Sequence, residues 1–255
     1  MDLRQFTCQA ASGKYNFVAS KPWLDHLQLA SVRLADGGSG SFVSPDGLLL
    51  TNHHVARGQL QKSSTPEHDY IKDGFYAHTR EQEIKFPDLE VAVLISTENV
   101  TDRISSQIKD IKDETQQFKA RKAAMSGIEQ ESQTKTGLQS QVVTLYSGGA
   151  YWLYRYKRYT DVRIVFAPEQ QAAFFGGDPD NFTYPRFDIE FALFRVYEND
   201  KPIHTATISS GAFSRLRQIN LPRCDIHFAL VLRSSERLSH ERNHGALEDH
   251  LLRPV

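Results

Sequence analysis

Cysteine, methionine and tryptophan are all scarce in this chain, with two of each among 255 residues. Cys8 and Cys224 lie far apart with no metal-ligand spacing around them, which excludes a zinc module and a disulfide-dense scaffold. Whether the two cysteines pair with each other is left open. No apolar run approaches the ~18 residues of a membrane-spanning helix. An excess of charge of either sign is also missing. Thirty basic side chains face thirty-one acidic ones, for a net charge of −1 at neutral pH. That balance removes the electrostatic case for nucleic acid or an anionic membrane as partner. The opening residues, MDLRQFTCQAASGKYNF, have no continuous apolar stretch after a basic start, so no signal peptide is expected there. What the chain does have is a 40% hydrophobic content and enough length for one or two domains with a real core.

The most informative stretch is GGSGSFVSPDGLLLTNHH, residues 37–54. Ser41–Ser44 predicts a short strand, Pro45-Asp46-Gly47 a tight turn, and Leu48–Leu50 a second, buried strand. Thr51 and Asn52 end that strand and deliver His53 and His54 to the point where strand meets loop. Before the hairpin, a short helix is expected near Trp23–Leu29. After it, STPEHDYIKDGFYA (64–77) reads as a helical or irregular excursion, and Leu89–Ile95 as a strand. Residues 101–135 change character. Thr101 and Asp102 suit a helix start, and Ile104, Ile108, Ile111, Phe118, Ala124, Met125 and Ile128 form an apolar face, predicting one long amphipathic helix broken near Gly127. Strands resume at Gln141–Tyr146 and Tyr151–Tyr156, joined by Gly148-Gly149, then at Thr160–Phe166 and Glu190–Tyr197. The fold class expected is therefore mainly β with an α insertion.

Four segments resemble one known family: GSGSFVSPDGLLLTNHH, STPEHDYIKDGFYA, YRYKRYTDVRIVFAPE and FFGGDPDNFTYPRFDIEFALFRVYENDKP. In order, and covering most of the first 200 residues, they are similar to the N-terminal part of the bacterial dipeptidyl-peptidase 7 and 11 family of serine exopeptidases. The resemblance implies the first β-barrel of a trypsin-like double-barrel fold plus part of a helical cap domain. The expected layout is a lead-in and first barrel strands over 1–100, a cap segment over 101–138, and the remaining barrel strands over 139–204. It also implies export to the periplasm or outside, peptide substrates with a free N-terminus, an intact protein that forms homodimers, and no cofactor or metal.

By the same resemblance His54 matches the catalytic histidine and His53 is structural. Val55 stands where the family often carries cysteine. The catalytic acid lies nine residues beyond Asn181, at Glu190, with Asp188 as the alternative on the same strand face. Asn181 matches a residue that holds the substrate's α-amino group, and Phe182 replaces a frequent tryptophan, keeping a wall but losing the indole donor. Gly176, Gly177, Asp178 and Asp180 are expected to shape that loop. The serine nucleophile is absent: the family's serine lies far downstream in the second barrel, and Ser39 in GGSGS is not a nucleophile elbow. The chain alone is therefore expected to be an inactive portion of a dipeptidyl peptidase.

Residues 205–255 differ in composition. All twelve lysines and all ten tyrosines precede Thr205, while seven arginines follow it. TATISSGA can be encoded by DNA that in another frame reads Arg-Asn-Tyr-Leu-Lys-Trp-Ser, which ends as related chains continue. This tail is read as divergent or frameshifted, without a designed core. Two other readings of the chain stay in view: half of an HtrA-like endopeptidase, whose histidine segment is similar, and a non-catalytic peptide-binding module.

Overall fold

Alternating burial builds the strands. In Ala192–Glu198 the side chains of Ala192, Phe194 and Val196 are buried while Leu193 and Arg195 lie nearer the surface, the pattern of a sheet with one face in the core. The computed structural model describes residues 18, 20–35, 37–177 and 188–205. Their helices are α1 (Lys21–Ala30), α2 (His53–Ser63), α3 (Thr101–Ile108), α4 (Glu114–Thr136) and the short α5 (Gln170–Ala173). The strands are β1 (Ser31–Leu34), β2 (Gly38–Phe42), β3 (Leu48–Thr51), β4 (Phe75–Tyr76), β5 (Ile84–Phe86), β6 (Val91–Asn99), β7 (Gln139–Leu145), β8 (Ala150–Tyr159), β9 (Asp161–Ala167), β10 (Ala192–Glu198) and β11 (Lys201–Pro202).

These strands form an antiparallel sheet in the order β4-β9-β10-β3-β2-β1-β6-β8-β7, with β11 added on β10 and β5 on β9. The fold is thus mainly β and antiparallel, with a few helices. β8 passes into β9 through Thr160 alone, so one extended run pairs with β6 and, further along, with β10. The main core draws on both regions: Leu34 of β1, Phe42 of β2, Leu49 of β3, Val91 of β6, Ile164 of β9 and Phe194 of β10 pack together, joined by Ala56 and Leu60 of α2. Among the described residues no helix is long and apolar enough to cross a membrane.

A second core lies where β6 and β8 extend past an irregularity between Leu94 and Ser96. There Val142, Tyr151 and Leu153 pack under Val100, Ile104, Ala124 and Ile128. Two helices stand where one was expected. The chain breaks at Lys109–Asp113, where the Asp113 side chain accepts the Gln116 N–H (2.7 Å) and starts α4 afresh. Gly127 causes no break. It faces open space inside α4, and a single glycine costs a docked helix only ~1 kcal/mol. Gly137, left-handed at φ 69°, ends α4.

The hairpin forms where proline and glycine place it. Gly47 sits at φ 65°, and a Cβ there would lie 2.8 Å from Ile203 Cγ1 and 2.9 Å from the Val196 carbonyl, so both conformation and space require glycine. The excursion over 64–77 is irregular: Thr65 and His68 exchange backbone bonds, Asp69 Oδ1 caps Ile71 and Lys72, and the segment ends in β4. Cys8, Cys224 and the tail from 206 onward lie outside the described residues. Thr205 is described: its N–H bonds to the Pro45 carbonyl (2.8 Å) and its hydroxyl to the Ser44 carbonyl (2.8 Å).

A buried ionic cluster braces β10 from outside the core. Glu83 is 8% exposed and accepts from Arg195 Nε (2.8 Å) and the Tyr197 hydroxyl (2.7 Å). Burial, followed by the Glu83 contact, pushes Tyr197 up to about 12. Removing Glu83 takes the carboxylate from Arg195, which keeps its bond to the Asp46 carbonyl, and the acceptor from the buried Tyr197 hydroxyl. Glu83→Ala is expected to cost about 3 kcal/mol in urea unfolding, with Glu83→Gln costing less because it keeps an acceptor.

Candidate active site

The site is built where β3 hands over to α2. β3 ends at Thr51, Asn52 is still extended (φ −79°, ψ 151°), and α2 begins at His53. The two histidines are thus the first turn of a helix and not a loop, contrary to the sequence expectation. Placing them there aims the His54 N–H and the positive end of the helix dipole at whatever faces the turn.

Glu190 is what faces it. β10 pairs with β3 so that Ala192 lies opposite Thr51, which brings the residues just before Ala192 alongside those just after Thr51. Glu190 does not belong to the strand, as the sequence pattern had suggested. The Phe191 N–H bonds to the Ile189 carbonyl (2.9 Å), closing a three-residue turn with Glu190 at its apex, and β10 starts only at Ala192. The Ile189 N–H bonds to the Ala172 carbonyl (2.8 Å), fixing the turn to α5.

From that apex Glu190 Oε1 accepts the His54 backbone N–H (2.9 Å) and lies 2.7 Å from His54 Nδ1. Asn52 Nδ2 donates to Glu190 Oε2 (2.5 Å). Glu190, and not Asp188, is the carboxylate at His54 Nδ1. Burial pulls the Glu190 pKa upward, but the His54 ring, the His54 N–H and Asn52 together pull it below the ordinary glutamate value. An ionised carboxylate only accepts, so His54 Nδ1 carries the proton and donates, leaving Nε2 as the basic nitrogen. The His54 side chain is 56% exposed against 14% for Glu190, so the pair joins an anchored carboxylate to an accessible imidazole.

His53 turns the other way. It is buried, 4% exposed, and burial, more than any neighbouring charge, lowers its pKa. Val55 packs against β2, where a Cβ on Gly38 would lie 2.6 Å from Val55 Cγ1. Ser39 lies within β2, and its carbonyl accepts the Thr51 hydroxyl (2.9 Å). Gly176 and Gly177 take positive φ (84° and 65°), as tight-turn glycines do. Asp178, Asp180, Asn181 and Phe182 lie outside the described residues. No group of three or more His, Cys, Asp or Glu side chains suited to a metal ion occurs among the described residues. The donor role of Asn52 had not been anticipated. Asparagine before a helix reads as an ordinary cap, and its partner lies 138 positions away.

Known proteins share this arrangement of segments. The family model described as Peptidase S46 matches residues 3–209. The chain belongs to the Peptidase S46 family. Dipeptidyl-peptidase 7 of Phocaeicola vulgatus is 36% identical over 203 residues, covering 77% of this chain and 27% of that protein. The Asp/Glu-specific dipeptidyl-peptidase of Porphyromonas gingivalis is 36% identical over 174 residues, covering 66% and 24%. The crystal structure of Porphyromonas endodontalis DPP11 in complex with the dipeptide Arg-Asp superposes with a TM-score of 0.61 at 31% identity, covering 71% of this chain and 27% of that one. The chain spans about a quarter of the length of the curated relatives it matches.

The depressed Glu190 pKa has a consequence for stability. A carboxylate held below its unfolded value stabilises the fold fully above that unfolded value, near 4.5. The contribution is lost as pH falls through the lower, folded value. The stability difference between the parent chain and Glu190→Gln is therefore expected to shrink as pH falls below about 4.5. Urea unfolding across that range measures it.

Proposed function

We propose that the protein is a serine-type dipeptidyl peptidase that releases dipeptides from peptide N-termini by acyl-enzyme hydrolysis, with this chain contributing the base and the acid. The observation that carries the reading is the 2.7 Å contact between His54 Nδ1 and Glu190, with the His54 side chain largely exposed. In this mechanism Nε2 takes the proton of a serine hydroxyl as it attacks the scissile carbonyl, then returns it to the leaving amine. Glu190 holds the ring in the required tautomer and stabilises the imidazolium between those steps. The serine and its oxyanion-hole donors are assigned to sequence outside this chain, so the chain alone is inactive. Asn181 and Phe182 are assigned to the substrate's amino-terminal end.

The same proposal assigns the sheet to the first barrel of a trypsin-like double barrel. Its support is the continuous β8–β9 run and the single core that joins β6 to β10. The α3–α4 region is assigned to a cap over the cleft, supported by its separate core. The Peptidase S46 match favours this exopeptidase reading over an HtrA-like endopeptidase half. An exported location follows from the family resemblance and forms part of the proposal.

A chimera tests the function. Residues 3–205 replace the matching part of the Phocaeicola vulgatus relative, and the product is offered peptides with free or acetylated N-termini. Dipeptide release from the free peptides alone is expected, falling about 10^4-fold or more with His54→Ala. Cleavage of acetylated peptides, or hydrolysis by this chain on its own, contradicts the assignment.

A further inference from the structure

Asn52 has an ordinary explanation, since asparagine ranks among the best residues at a helix start. Its side chain does not do that work. It makes no capping hydrogen bond to α2, and the helix N-terminus is occupied by the Glu190 carboxylate, which accepts the His54 N–H. The Asn52 amide points at Glu190 instead, donating to Oε2 (2.5 Å) and lying 3.4 Å from the Glu190 carbonyl oxygen. The carboxylate is thus held at both oxygens from one strand–helix junction, Oε1 by His54 and Oε2 by Asn52.

Two-point holding matters more for glutamate than for aspartate. Glutamate has one more rotatable bond between backbone and carboxylate, so a single contact at Oε1 leaves it free to swing. The titratable and charged groups near the junction are His53, His54 and Arg57 of α2 and Glu190 itself. Among them the amide adds a donor without adding charge. An aspartate at 52 sets a second negative charge against Oε2, and a glycine has no side-chain donor at all.

We propose that Asn52 is a positioning residue that clamps the Glu190 carboxylate so that Oε1 stays on His54 Nδ1. The inference rests on reading His54 and Glu190 as the base–acid pair.

Carboxyl carbon NMR on the full chain tests it, with the Glu190 resonance assigned by its loss in Glu190→Gln. Glycine and aspartate are both tolerated before a helix, and neither carries a side-chain donor at neutral pH, so Asn52→Gly and Asn52→Asp remove the donor and leave the helix start intact. The Glu190 titration midpoint is expected to move up in Asn52→Gly and further up in Asn52→Asp. A midpoint unmoved in folded Asn52→Gly, or in Asn52→Asp where glycine fails to fold, overturns the proposal. His54→Ala reads separately on the proposed function. If Glu190 responds to Asn52→Gly but ignores His54→Ala, the clamp stands and the base–acid pair does not. If it responds to His54→Ala but not to Asn52→Gly, the pair stands and the clamp does not.

Discussion

One carboxylate at the start of one helix organises this molecule's chemistry. Glu190 replaces the side-chain cap that α2 lacks, satisfies a helix N–H, and orients the His54 ring with the same oxygen. The negative charge suits the helix end electrostatically, and its hydrogen bonds outweigh the cost of its partial burial. Structural capping and ring orientation are therefore one interaction. A change that frees Glu190 loosens the helix start and the His54 ring together.

That interaction depends on strand register. β3 and β10 are adjacent in the sheet although they are far apart in sequence, and the pairing of Ala192 with Thr51 carries Glu190 to the helix start. A slip of one residue sends every side chain of β10 to the opposite face. The register is protected by Phe194 and Val196 in the core and, on the other side, by Arg195 and Tyr197 bound to Glu83. The ionic cluster is remote from His54, but it holds the strand whose first residues define the site.

The helical region has a different physical basis. α4 is 23 residues long, yet Ala124, Ile128 and Ser132 are its buried positions. It docks by one narrow stripe and is otherwise solvated. Its core shares none of its buried residues with the main one, and the long β6–β8 pair links the two. The helical unit is thus packed independently of the His54–Glu190 contact.

Local chemistry made much of this legible. The hairpin follows from Pro45, Asp46 and Gly47 and the β7–β8 hairpin from its two glycines, because turn geometry and strand alternation are set by neighbouring residues. The family resemblance likewise rests on contiguous motifs. The helix break was misread at Gly127 because the decisive bond, from Asp113, competes with an equally regular pattern running through it. The choice between Asp188 and Glu190 could not be made locally: the two are separated by one strand repeat and share a face by alternation alone. Tertiary structure decided it, through the β3–β10 register and the turn at Ile189–Phe191 that lifts Glu190 out of the strand. The same long-range pairing gave Asn52 its partner. Sequence by itself determined which short segments form strands, turns and helices. Which carboxylate meets the histidine was decided when two distant segments became neighbours, since hydrogen bonds across 138 positions leave no periodic trace in either segment.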